Sequence, residues 1–131
     1  MPANTLPIFP VAARIGVANL SSASSIRTTT GTTGLVSAFV AGTNGSRIDR
    51  IRVKATATTT DGMVRIWIYS GAGNAQLLFE IPVSAVTPSA TVTAFETYVN
   101  VDMENLPAGY TLYATTEKAE AMNVIVLGGD W

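Results

Sequence analysis

Side chains that could perform catalysis are few in this chain. It contains no histidine and no cysteine, so Ser–His and Cys–His nucleophilic pairs are excluded and the commonest metal ligands are missing. Two carboxylates, Glu80 and Glu96, are the best remaining candidates for an acid–base pair, on neighbouring predicted strands. No motif flanks them, and solvated strand faces are the commoner explanation for such residues. We therefore expect a non-enzyme with no catalytic residue, no cofactor and no metal ligand.

A stripe of three cations is the other candidate for chemistry. Arg50, Arg52 and Lys54 alternate along one predicted strand and so share a face. Clustered cations can bind phosphate groups. The pI of about 5.2 and the absence of interleaved aromatic residues argue against nucleic acid as the partner. We interpret the stripe as a solvated or subunit-facing strand and take its residues as candidate interface residues.

The strand that carries the stripe has an alternating pattern. Ile51, Val53 and Ala55 face away from the cations, which is typical of a half-buried strand. Ile48 is out of phase with this set, and this predicts a bulge near Asp49.

A second strand, Met63–Tyr69, follows this one and is apolar on both faces except at Arg65. Such a strand is expected in the middle of a sheet, covered on both sides. Because Asp61-Gly62 is a turn signal, we expect the two strands to form one long hairpin around which the chain is organised. Gly62 would then adopt a positive φ.

The remaining chain alternates between short strand patterns and Gly-, Pro- or Thr-rich turns. We count seven or eight strands and no convincing helix, which favours an all-β antiparallel sandwich or barrel. Our choice is a single jelly-roll-like β-sandwich over residues 14–131. Small closed barrels and immunoglobulin-like sandwiches remain alternatives.

Residues 1–13 are predicted to form an extended N-terminal arm. Three prolines, Pro2, Pro7 and Pro10, prevent a helix and resist a central strand. Ile8 and Phe9 are apolar, so the arm is expected to lie on its own sandwich or on a neighbouring subunit. Trp131 at the other end is expected to cap the sandwich or to anchor into a neighbouring chain.

The composition also favours association. Only 13% of the 131 residues are charged, against about 25% usually, and the mean hydropathy is +0.32. Residues 1–65 carry a net charge of +5 and residues 66–131 a net charge of −6. Cross-strand pairing is the favoured explanation, and a subunit contact is the alternative. No apolar run is long enough to span a bilayer and no signal peptide is recognised, so we expect a cytoplasmic site of synthesis and no membrane partner.

Five segments resemble small β-rich virion proteins of tailed bacteriophages, most closely the head decoration (cement) proteins. They are Ile8-Phe9-Pro10, residues 45–51, residues 64–68, residues 106–110 and residues 123–130. The resemblance implies jelly-roll or related β-domains that sit as oligomers, often trimers, on the outer capsid and hold capsomers together. The implied partners are the protein itself and the major capsid protein, with no nucleic acid and no small-molecule substrate.

The alternative is a phage tail or receptor-binding β-sandwich that recognises a carbohydrate or another virion protein. A groove lined by exposed aromatic residues would favour it, and only Tyr98, Tyr110 and Tyr113 could line one.

Overall fold

The computed structural model describes residues 10–131, and this part of the chain is an all-β sandwich without a helix. The prediction of seven or eight strands is confirmed, since residues 10–131 contain eight. The strands are β1 (Ala12–Leu20), β2 (Val36–Val40), β3 (Ser46–Ala55), β4 (Gly62–Tyr69), β5 (Gln76–Val83), β6 (Glu96–Leu106), β7 (Thr111–Thr116) and β8 (Met122–Asp130). Residues 1–9, with Ile8 and Phe9, lie outside the described residues, and Ala12–Ala13 of the predicted arm belong to β1.

Two four-stranded antiparallel sheets form the sandwich. Sheet A has the strand order β1-β8-β3-β6, and sheet B has the order β2-β7-β4-β5. The chain crosses between the sheets at every connection except the one from β4 to β5. Fully buried aliphatic side chains from both sheets form the core between them. They include Ile48, Ile51, Val53, Val64, Ile66, Leu106, Leu112, Val124 and Val126.

The predicted central hairpin is wrong. β3 pairs with β6 and β8 in sheet A, whereas β4 pairs with β5 and β7 in sheet B. The linker between β3 and β4 instead joins the segment after β5: the Thr59 backbone N–H donates to the Val86 carbonyl at 2.9 Å. The Asp61 carboxylate accepts from the Ala85 N–H at 3.1 Å, so it caps a distant segment rather than its own turn.

Gly62 is the first residue of β4 and does not have the positive φ that a hairpin turn would require. A Cβ added there would lie 3.3 Å from Cγ of Lys118, which is a flexible neighbour. The alternation pattern and the Asp-Gly pair correctly indicate where two strands end and begin. They carry no information about which strand each one pairs with, because sheet partners are chosen by long-range packing.

Two other expectations for these strands are confirmed. The pairing register of β3 shifts between Ile48 and Arg50, which is the predicted bulge. This extra residue allows Ile48 and Ile51 both to be fully buried although three positions separate them. β4 lies between β7 and β5, in the middle of its sheet.

Candidate subunit interface

The two outer faces of the sandwich differ in how far they are covered. The segment between β1 and β2 folds over sheet B, where the Ser24 N–H donates to the Thr116 carbonyl at 2.8 Å. Beneath it, Arg65 is only 2% exposed, and Trp67 is fully buried outside the core between the sheets. The Trp67 indole N–H donates to the Thr115 hydroxyl at 3.1 Å. No comparable segment within residues 10–131 covers the outer face of sheet A.

Arg65 holds this cover in place through ionic hydrogen bonds. Its guanidinium donates to the carboxylates of Glu117 at 2.6 Å and Glu80 at 3.1 Å, and to the Ser24 carbonyl at 3.3 Å. Arg27, from the covering segment, donates to the same Glu80 carboxylate at 3.3 Å. The Arg27 hydrogen bond is the main reason that the pKa of Glu80 is lowered. The sequence alone does not show that the charged residues Arg27, Arg65, Glu80 and Glu117 lie together.

An aliphatic patch lies on the outer face of sheet A. β1 and the residue before it contribute a row of exposed side chains: Val11, just before β1, is 76% exposed, and Ile15 and Val17 of β1 are 65% and 52% exposed. The register sets Ile15 beside Leu127 and Val17 beside Ile125 of β8, and these two are half-buried. Five neighbouring aliphatic side chains therefore form one apolar surface, which is the kind that proteins usually cover with a partner.

The predicted cationic stripe borders this patch. Arg50 and Arg52 are exposed and Lys54 is half-buried, and the register places Arg50 beside Leu127 and Arg52 beside Ile125. Below, "the sheet A face" means these three cations together with Val11 and the four aliphatic residues Ile15, Val17, Ile125 and Leu127 of β1 and β8. The structure thus places the predicted interface residues Arg50, Arg52 and Lys54 next to an apolar surface that was not predicted from the sequence.

The cations of the stripe are unequally neutralised. Lys54 Nζ lies 3.6 Å from the Glu96 carboxylate, and the Arg50 guanidinium lies 4.8 Å from the centre of the Tyr98 ring. Arg52 makes no ion pair within residues 10–131. Two arginines therefore remain without a carboxylate partner in the described part of the chain.

Most other charged side chains form ion pairs. This agrees with cross-strand pairing as the explanation for the basic first half and the acidic second half of the sequence. Among the described residues there are six ion pairs. Five of them join a base from residues 1–65 to an acid from residues 66–131, and the exception is Arg47–Asp49 at 2.6 Å. The charge asymmetry along the sequence is thus largely cross-strand pairing. Of the bases in residues 1–65, Arg50 and Arg52 are the two without an ion pair among the described residues.

The four edge strands of the sandwich differ in their protection against association. β6 presents outward acids, β5 contains Pro82, and β2 has only five residues. Charges, proline and short length are the usual devices that protect an edge. β1 has nine residues, no proline and no outward charge, since its one ionic residue, Arg14, binds Asp130. The edge that carries the aliphatic patch is therefore the least protected.

Asp130, the last residue of β8, joins three parts of sheet A through its carboxylate. Its carboxylate accepts from the buried Ser46 hydroxyl at 2.6 Å and from Arg14 at 2.9 Å. These hydrogen bonds, Ser46 first, lower the pKa of Asp130. The next residue, Trp131, is half-buried, and its backbone N–H donates to the Gly45 carbonyl at 3.2 Å. Trp131 therefore lies at the Gly45 turn, where β3 begins.

The remaining candidates for chemistry are not brought together. Glu80 belongs to sheet B and faces two arginines, whereas Glu96 belongs to sheet A and faces Lys54. Residues 10–131 contain no cluster of acidic side chains that could hold a metal ion. No helix in this part of the chain is long and apolar enough to cross a membrane.

The tyrosines that could recognise a carbohydrate do not share a groove. Tyr98 lies on sheet A and Tyr113 on sheet B, where its ring meets the Tyr69 ring edge-on at 6.2 Å. Tyr110 lines a depression of about 270 Å³ together with Asn74 and Gln76. Part of this polar lining is already used, because the Asn74 amide oxygen accepts from the Gly31 N–H at 2.8 Å.

Comparisons with models of protein families, with curated proteins and with solved structures gave no significant match to this chain. The geometry of the sheet A face is therefore the basis for the functional argument.

The aliphatic patch was missed because its sequence signal is ambiguous. In β1 the outward residues Ile15 and Val17 and the inward residues Ala18 and Leu20 are all apolar. A strand that is apolar on both sides is normally interpreted as covered on both sides. Only the sheet order, which places β1 at an edge, reveals that one side is exposed.

Proposed function

We propose that this protein is a non-enzymatic bacteriophage capsid decoration (cement) protein, which binds the outer capsid as an oligomer and stabilises contacts between capsomers. The observation that carries the proposal is the sheet A face, where five aliphatic side chains border two arginines without a carboxylate partner in the described residues. A surface of this chemistry fits contact with another protein. Its partners would be copies of this chain, most simply in a trimer, and the major capsid protein.

The strand order supports the proposal at the level of the fold. β1 pairs with β8, β2 with β7, β3 with β6 and β4 with β5, as in one long hairpin rolled up into a sandwich. We infer that this winding is a jelly roll, an architecture used by viral capsid domains and by lectins. The fold alone therefore fits both a shell protein and a sugar-binding protein, and the choice rests on the surface.

The N-terminal segment is the second proposed contact. Ile8 and Phe9 would bind the capsid shell or a neighbouring subunit, and burial of two such side chains contributes roughly 3–6 kcal/mol. Pro10, the first described residue, lies close to β8: a Cβ added to Gly129 would lie 2.6 Å from Cβ of Pro10. The described part of the chain thus begins beside β8 of sheet A. The protein would be made in the bacterial cytoplasm and act on the capsid exterior.

Shell binding is tested with phage capsid shells that lack this protein, assembled from the major capsid protein of the same genome. The purified full chain is mixed with the shells, which are then sedimented. Saturable co-sedimentation and a raised melting temperature of the shells are expected. If the chain stays in the supernatant at all concentrations, the decoration function is wrong.

The depression beside Tyr110 favours a second candidate, a tail or receptor-binding module that recognises a carbohydrate. A tyrosine next to the Gln76 amide and the Ser70 hydroxyl offers stacking and hydrogen bonding to a sugar. Screening against bacterial surface glycans would detect it. Binding that is lost in Tyr110→Ala would support this candidate, and the absence of any glycan ligand would leave the decoration function as the better account.

A further inference from the structure

The sheet A face lacks an acidic counterpart. Arg50 and Arg52 point away from the core, and neither has a carboxylate within ion-pair distance among residues 10–131. The aliphatic patch lies directly beside them. A matching surface must therefore combine apolar contact with negative charge, because like charges placed opposite each other are unfavourable at an interface.

A symmetric face-to-face dimer does not provide this match when its two-fold axis crosses the strands. A two-fold axis that crosses the strands would lay β1 on β1 and β3 on β3 of the second copy. The aliphatic residues would then meet, but Arg50 and Arg52 would lie against the β3 cations of the other copy. Repulsion between unneutralised arginines opposes this arrangement, so the complementary surface should be a different part of the molecule.

The exposed edge of β6 has the required negative charge. Asp102 and Glu104 are exposed there, and neither forms an ion pair within the described part of the chain. Both are close enough to Arg47 to contribute to its raised pKa, although the adjacent Asp49 is the main cause. The β6 edge therefore carries two acids without an ion pair, as the sheet A face carries two such arginines.

The backbone of β6 is also unusual at this point. Asp102 has a φ of +48° and is the only non-glycine residue with positive φ in residues 10–131. It lies where the β3–β6 register shifts, and Ile48 pairs with Met103 while Arg50 pairs with Asn100. A bulge of this kind redirects a side chain, and an aspartate in the left-handed region carries a conformational cost. Asp102 is exposed at this bulge.

We propose that the β6 edge of one copy, with Asp102 and Glu104, docks on the sheet A face of the next copy. The contact uses two different surfaces of the same chain, so it repeats head to tail. We propose that the repeat closes into a ring, of which a trimer is the smallest. The apolar centre is the β1–β8 patch, and the arginines of one copy meet the acids of the other. This inference rests on the proposed oligomeric function and specifies which surfaces assemble.

Charge reversal tests the pairing of the two surfaces. One variant carries Arg50→Glu and Arg52→Glu on the sheet A face. A second carries Asp102→Asn and Glu104→Lys on the β6 edge, where asparagine is chosen because it tolerates the left-handed φ. A third combines all four changes. Lys118→Glu, at an exposed position outside both surfaces, is the control for a change in net charge.

Sedimentation velocity over a concentration series measures the self-association of each full-length variant. The face variant and the edge variant are each expected to lose about tenfold or more in affinity. The combined variant should regain affinity to within about threefold of the parent, and Lys118→Glu should behave like the parent. Circular dichroism and thermal melting show whether each variant is folded, and a misfolded edge variant is replaced by Glu104→Lys alone.

Three results would overturn the inference: single-surface variants that associate as the parent does, a combined variant that does not regain association, or a parent chain that is monomeric at all concentrations. Capsid co-sedimentation of the parent is measured in parallel. Shell binding without self-association would refute this contact alone. The loss of both would refute the contact and the decoration function together.

Discussion

Arg65 is expected to be the most important charged residue for stability, and Arg65→Met tests this. The side chain is 2% exposed and donates to Glu117 at 2.6 Å and to the Ser24 carbonyl at 3.3 Å. Methionine retains the apolar stem but removes the guanidinium. Glu117 then remains beside the covering segment without its cation, and the Ser24 carbonyl loses a donor.

The expected loss in the free energy of unfolding depends on how far water can replace these contacts. Removing one partner of a fully buried ion pair costs about 3–5 kcal/mol. The side chain of Glu117 is 28% exposed, so water can partly solvate its carboxylate after the change. We therefore expect a loss of about 2–3 kcal/mol in the free energy of unfolding, close to the contribution of one hydrogen bond to a charged group.

Urea unfolding followed by tryptophan fluorescence measures the effect. Trp67 is fully buried and contributes to the signal together with the half-buried Trp131. Arg27→Met is the matched control, since it also removes a cation from Glu80 but at a side chain that is 60% exposed. The control is expected to lose much less stability. Equal losses for the two variants, or an unchanged unfolding midpoint for Arg65→Met, would refute the role assigned to the buried guanidinium.

Three further predictions concern the fold and the arm. Gly16→Ala should destabilise the protein by about 1–3 kcal/mol in thermal melts, because the added Cβ would lie 2.0 Å from the Ala38 carbonyl oxygen; an unchanged melting temperature would show that β1 and β2 are less closely packed. The Ser46 hydrogen bond lowers the pKa of Asp130, so its stabilising contribution is complete above the unfolded-state pKa of about 4 and is lost as the pH falls through the lower native value. Unfolding measured across this range should therefore depend more on pH in the parent than in Asp130→Asn, and equal slopes would contradict this. Deletion of residues 1–9 should leave the melting temperature unchanged by circular dichroism while weakening capsid co-sedimentation; failure to fold would make the segment part of the sandwich.

Local features of the fold were predictable because they depend on neighbouring residues. The number of strands follows from turn-forming residues between apolar segments, and the bulge follows from the phase error between Ile48 and Ile51. Burial of β4 follows from its apolar residues on both faces. Each of these signals is complete within about ten residues of sequence.

Pairing between distant strands was not predictable in the same way. The Asp61-Gly62 pair indicated a hairpin, yet β3 and β4 lie in opposite sheets because β8 and β6 pair with β3 instead. The candidate site was recoverable only in part for the same reason. Arg50 and Arg52 were identified from their alternation, whereas Ile15 and Val17 become a surface only when β1 is placed at an edge.

The central claim is that the sheet A face mediates association, and two valines test it directly. Val17 on this face and Val40 on sheet B are 52% and 53% exposed, so aspartate at either position introduces the same charge with similar exposure. Sedimentation velocity at about 50 µM, a concentration at which micromolar association is detected, compares Val17→Asp, Val40→Asp and the parent. The account predicts that Val17→Asp is monomeric while Val40→Asp associates as the parent does. Association of Val17→Asp at the parent's level, or equal losses for both variants, would contradict it.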